Sequence, residues 1–82
     1  MARQVKVNVG DKEKVFNIAP LKGKHIRDIM TNKRPGFEET FAVLGFAGIS
    51  EKDIDEMDFK DCLKLQKEIN AETFGVEEEV KN

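Results

Sequence analysis

The sequence predicts an α+β domain, an N-terminal β-hairpin followed by three to four α-helices. Three observations predict it. Val5, Val7 and Val9 alternate with Lys6 and Asn8, and Phe16 and Ile18 again stand two apart beyond a "GDKE" turn, which is the period of a strand. From "LKGKHIRDIMTN" onward the apolar residues shift to spacings of three and four, the period of a helix. Pro20, the Pro35-Gly36 pair and Gly48 fall between the periodic runs and punctuate them. The 82 residues read as one domain over 1–75, with 76–82 a charged, frayed C-terminal tail.

Residues 4–18 form the expected hairpin, which is marginal alone and must lay its apolar face on something. Pro20 ends its second strand. In the first helix, Ile26, Ile29 and Met30 recur at helical spacing, and Gly23 weakens the opening turn. The next helix is "FEETFAVLGFAGI". Phe37, Phe41 and Leu44 form one stripe, and Ala42, Val43, Phe46 and Ala47 fill most of the remaining circumference. A helix apolar all round is expected to be buried all round, and Gly48 is its expected C-terminal cap. Ser50 is an N-cap for a short turn over 51–56 that tucks in Ile54 and Met57, with Asp53 at the capping-box position. Asp58 is a second N-cap, with Asp61 three residues on. The last helix runs from about Phe59 to Thr73. Its inner stripe is Phe59, Cys62, Leu63, Gln66 and Ile69, with Leu65 near the edge, and Phe74 and Gly75 end it.

Composition narrows the function. A chain this short buries only roughly 60–65% of its unfolded surface, so its core is thin. Cys62 is the single cysteine, which rules out an internal disulfide and suits a reducing compartment. No apolar run is long enough for a membrane span and no signal-peptide pattern opens the chain, so a soluble cytoplasmic protein is expected. The net charge of −2 hides an asymmetry: residues 1–35 carry nine Lys/Arg and three Asp/Glu, residues 36–82 five and thirteen. Such a split fits a nucleic-acid face, two ends that attract in an assembly, or ordinary solvated surface.

"SEKDIDEMDFKD", residues 50–61, sets six carboxylates in twelve positions. An EF-hand read from Asp53 fails at Met57 and at Asp58, where a ligand and a glycine are required. Helix capping accounts for them instead, each acidic residue being read at a helix start, where free N–H groups and the dipole favour negative charge. His25, the lone histidine, lies beside Lys24 and Arg27 and reads as a surface residue. Cys62 on an apolar stripe reads as a small hydrophobe. No catalytic constellation, metal ligand set or phosphate loop follows from one His and one Cys, so no enzyme activity, cofactor or metal is expected. Lys22, Lys24, Arg27, Lys33 and Arg34 form a candidate basic patch, although no reading helix with base-edge residues is recognisable beside it. Phe37, Phe41, Leu44 and Phe46 form a candidate self-association or client surface, since a domain this small has little material to cover an apolar helix on every side.

In this order the elements resemble the small tail assembly chaperones of tailed bacteriophages. The likeness rests on the hairpin, on Pro20, Gly23, Lys24 and Ile26, and on Ile49, Ser50, Ile54, Met57, Asp58 and Asp61. His25 replaces the family's usual acidic residue. The resemblance implies a non-catalytic protein of the host cytoplasm, absent from the mature virion. It would bind the tape-measure protein, keep it soluble and help recruit tail-tube subunits, as a homo-oligomer. It also implies a longer product made by frameshifting, and Val80-Lys81-Asn82 is compatible with a slippery A-AAA-AAC codon run. The alternative reading is a small DNA-binding regulator using the basic cluster of residues 22–34.

Overall fold

Two strands and four helices follow one another: β1 Arg3–Val9, β2 Lys12–Ile18, α1 Gly23–Thr31, α2 Gly36–Phe46, α3 Glu51–Glu56 and α4 Phe59–Phe74. This is the α+β architecture expected. The computed structural model describes residues 3–75, and the expected tail at 76–82 lies outside them.

β1 and β2 pair antiparallel, Val9 opposite Lys12 and Arg3 opposite Ile18. The two-residue turn has a positive φ only at its first position, Gly10 at 62°, the type II′ pattern that matches the twist of the flanking strands. The Gly10 N–H also donates to the Glu56 carbonyl at 2.9 Å, fastening the turn to the end of α3. Residues opposite one another share a face. One face therefore carries Val5, Val7, Val9, Phe16 and Ile18, all buried except the half-buried Phe16. Arg3, Lys12 and Lys14 occupy the rest of that face.

Two of these inward cations meet carboxylates of the helices. Arg3 pairs with Glu68 and with Glu72 (3.3 Å) of α4. Lys14 pairs with Asp53 of α3 at 2.7 Å. The basic first half and the acidic second half of the sequence thus complement each other within one molecule. That use of the split charge is in addition to the three readings the sequence offered.

α4 lies across the hairpin and buries Cys62, Leu65, Ile69 and Ala71. Leu65 is fully buried and Leu63 is 47% exposed, which corrects the expected stripe. Positions 62, 65 and 69 are i, i+3 and i+7. The inner stripe is centred there, and Leu63 is turned about 100° away from Cys62. Leu44, Leu65 and Ile69 anchor the core, each contributing roughly 1.5–3 kcal/mol by leaving water.

α2 begins after Pro35, whose fixed φ suits a helix start, with Glu38 and Glu39 in the first turn near the dipole's positive end. It closes in a Schellman motif: the Ile49 N–H donates to the Leu44 carbonyl (3.1 Å) and the Gly48 N–H to the Gly45 carbonyl (3.0 Å). Gly48 takes φ 94°, as its expected capping role requires. The one buried polar residue of α2, Thr40, has its hydroxyl 2.8 Å from Gln66 Oε1 of α4 and 3.2 Å from the Gly36 carbonyl.

α1 is peripheral and has no fully buried residue. Contacts from several elements hold it and its lead-in. The Leu21 N–H donates to Thr73 Oγ1 (2.9 Å), Ile29 packs on the core, and the His25 ring stacks on Phe46 at 4.7 Å and 13°. Met30 is 73% exposed. Among the described residues, no helix is long and apolar enough to cross a membrane.

Candidate interaction surface

Phe37, Phe41 and Gly45 recur every four residues along α2, which aligns them on one stripe. The core takes the adjoining flank, where Thr40, Val43 and Leu44 are buried, Leu44 lying at the border of the stripe. The stripe itself stays open: Phe37 is 71% and Phe41 42% exposed. Phe59, the first residue of α4, meets both rings edge-on, at 5.2 Å from Phe37 and 5.8 Å from Phe41. These T-shaped contacts fix the rings as one aromatic platform. The expectation that α2 is buried all round is therefore corrected. α4 and α3 pack against α2 and His25 of α1 stacks on Phe46, while Phe37 and Phe41 stay exposed.

Beside the platform lies a cleft of about 520 Å³, open to solvent between α2, α3 and α4. Ile49, Ile54, Met57 and Cys62 give it an apolar floor, and Phe41 and Phe59 form one wall. Its charged lining residues are Glu51 and Asp55, one turn apart on α3. Gly45 opens it at the α2 side. A Cβ there would meet no other atom within 4 Å, so close backbone packing does not demand the glycine.

α3 is held in place by its start and by the hairpin. Ser50 Oγ accepts the Asp53 N–H at 3.1 Å, the expected N-cap. The Asp53 carboxylate accepts from Lys14 instead of closing a capping box. That hydrogen bond, reinforced by the Lys14 charge, holds the Asp53 carboxyl below its ordinary value. Asp58 has the extended backbone of an N-cap but makes no side-chain cap hydrogen bond, which corrects half of its expected role. Asp61 lies in the first turn of α4 as expected. Asp55 and Glu56 do not fit the helix-start reading of the acidic stretch, because they are the last two residues of α3.

The other expected site residues separate. Leu44 is fully buried and belongs to the core, so it is no part of a surface. Phe46 is half-buried against His25, with the Arg34 guanidinium 5.9 Å from its ring centre. In the basic cluster, Lys22, Lys24, Arg27 and Lys33 are exposed. Arg34 is engaged locally, donating to Asp28 (2.8 Å) and to the Asn32 carbonyl (3.2 Å). Its guanidinium lowers the Asp28 carboxyl's pKa. His25 is half-buried and not the surface residue expected, with its Nδ1 partnerless among the described residues.

Phe59 and Gly45 were not singled out from sequence. Phe59 looked like one more inner-stripe residue, and its pairing with α2 is a contact between elements that no local spacing encodes.

Among the described residues, no three His, Cys, Asp or Glu side chains are grouped to hold a metal ion. Cys62 is buried with its Sγ 3.9 Å from Met57 Sδ, and burial pushes its thiol pKa up, away from nucleophilic activation. Fold and surface together define a small α+β domain that displays an aromatic platform beside an acidic-lined apolar cleft. No protein-family model, no curated protein and no solved structure matches the chain.

Proposed function

We propose that this chain is a non-catalytic tail assembly chaperone. It binds the tape-measure protein in the host cytoplasm, keeps it soluble, helps bring tail-tube subunits to it and is absent from the mature virion. The observation that carries the reading is the Phe37–Phe41–Phe59 platform. Exposed large apolar side chains gathered on one side of a small domain are suited to a protein partner. A long helical client that aggregates when alone offers the matching apolar surface. The order of elements and the Ser50–Asp58–Asp61 spacing supply the resemblance that names the client.

The test is co-expression with the tape-measure protein that this reading expects to be encoded beside the gene. Wild-type chain is expected to keep it in the soluble fraction and to co-purify with it. The double variant Phe37→Ser/Phe41→Ser is expected to lose both effects while keeping its own fold. A client that stays soluble without the chain, or that co-purifies equally with the double variant, overturns the proposal. Salt-sensitive retention on DNA by Lys22, Lys24, Arg27 and Lys33 would favour the regulator reading in its place.

A further inference from the structure

We infer that the cleft between α2, α3 and α4 takes one kind of occupant: an amphipathic α-helix of a partner protein, with apolar anchors on one face and Lys or Arg beside them. The inference rests on the protein-binding reading above and names the chemistry of the partner segment. A cleft of about 520 Å³ is in the range that accepts several large side chains. Phe41 and Phe59 line both the cleft and the neighbouring hollow beside Phe37, so the apolar surface is continuous, as helix-in-groove recognition by anchors at i, i+3/i+4 and i+7 requires.

Charge decides the flanks. Glu51 and Asp55 line the cleft, and no cation does. Neither forms an ion pair among the described residues, in contrast to Asp53, which Lys14 neutralises. Two free carboxylates beside an apolar surface favour a cationic partner and disfavour an anionic one.

The same facts argue against occupants from this chain. A second copy paired through this same face would offer the Glu51 and Asp55 carboxylates no complementary cation, because the cleft lining holds none. Residues 76–82 carry three glutamates and one lysine, the wrong sign for this lining. α1 is basic, but Ile26 and Ile29 are half-buried in their own molecule, so Met30 is its only strongly exposed large apolar side chain.

Gly45 supplies the second observation. It is helical and exposed, and a Cβ added there would meet no other atom within 4 Å. A helical glycine is less favourable than alanine, and here its missing side chain keeps the cleft open toward α2.

The experiment uses the full chain and three fluorescein-labelled helical peptides of equal length. The first carries leucine anchors on one face with lysine flanks. The second has the same anchors with glutamate flanks, and the third has lysines with the leucines scattered. Fluorescence anisotropy is expected to show the lysine-flanked amphipathic peptide binding at least about tenfold more tightly than either other one, less so as salt is added. Glu51→Lys/Asp55→Lys is expected to reverse the preference between the first two peptides. Gly45→Leu should fold at least as stably as wild type by thermal melting, yet lose peptide binding because the leucine fills the cleft.

Equal binding of the lysine- and glutamate-flanked peptides overturns the inference. So does unchanged binding by Gly45→Leu, or a self-association in sedimentation that Gly45→Leu abolishes, which would make a second copy the occupant. If no peptide binds while the tape-measure protein is still captured through Phe37 and Phe41, this inference falls and the chaperone reading stands. If the lysine-flanked peptide binds and the tape-measure protein is not captured, the chaperone reading falls and this one stands.

Discussion

Lys14 Nζ lies 2.7 Å from the Asp53 carboxylate, and this contact joins the second strand of the hairpin to helix α3. Lys14 is on the strand face that also carries the buried valines, so the register that builds the core also aims the cation at α3. On the same face Arg3 reaches α4 through Glu68 and Glu72. The hairpin is thus an apolar strip with cationic contacts to two helices.

The Lys14 contact has a pH signature. Asp53's folded pKa is lowered, first by the hydrogen bond from Lys14. A lowered carboxyl pKa contributes stability that is present above the unfolded value and is lost as pH falls through the folded one. NMR titration of Asp53 is expected to show a folded pKa below 3.8 in wild type, and Lys14→Met should return it toward that value. An unchanged titration would mean that Lys14 is not the cause.

The two helix caps should differ in strength. Ser50 accepts a backbone N–H and Asp58 does not. Ser50→Ala is expected to cost about 1 kcal/mol in urea denaturation. Asp58→Ala should cost less, because only its charge near the helix start is removed. The reverse order would contradict the capping assignment.

Neighbouring leucines of α4 should behave oppositely. Leu65→Ala empties a fully buried site and is expected to cost about 2–5 kcal/mol. Leu63→Ala, at a half-exposed position, should stay within roughly 1 kcal/mol of wild type. Chemical denaturation of the two variants reads the orientation of the helix directly.

Gly10→Ala places a Cβ at φ 62°, where an L residue is strained by about 1–2 kcal/mol. The Gly10 hydrogen bond to Glu56 also orients α3. The variant is therefore expected to melt earlier and to loosen the cleft, seen as faster hydrogen exchange across residues 51–57. Loss of stability with unchanged exchange in α3 would separate the turn from the cleft.

Cys62 should be a reporter of unfolding. It is 1% exposed and its thiol pKa is raised by burial. Reaction with a thiol reagent is expected to be slow in the native protein and to follow global opening as urea is added. Rapid labelling in native buffer would mean that the cleft floor opens separately from the rest.

Much of the architecture was legible because it is local. Alternation placed Val5, Val7 and Val9 inward, and the residues before and after Pro20 changed period at a visible breaker. Ser50 and Gly48 carry backbone chemistry that depends on their own side chains, or on the lack of one, so their caps could be read directly. In the expected α4 stripe Leu63 stands where Leu65 belongs, because the two are equally apolar and only the partner surface distinguishes them.

The sequence by itself determined the order of strands and helices, the turn at Gly10, the cap at Ser50 and the presence of more apolar surface on α2 than a small domain easily covers. Those properties come from interactions within a few residues and from composition. Only the tertiary structure decided which side of α2 stays open, that Phe59 completes a platform with Phe37 and Phe41, and that Leu44 is core. It also decided that Asp53 is neutralised while Glu51 and Asp55 are not. Each of these depends on which residue a distant element brings near, and residues far apart in the chain meet through the packing of the whole domain, which no local period records.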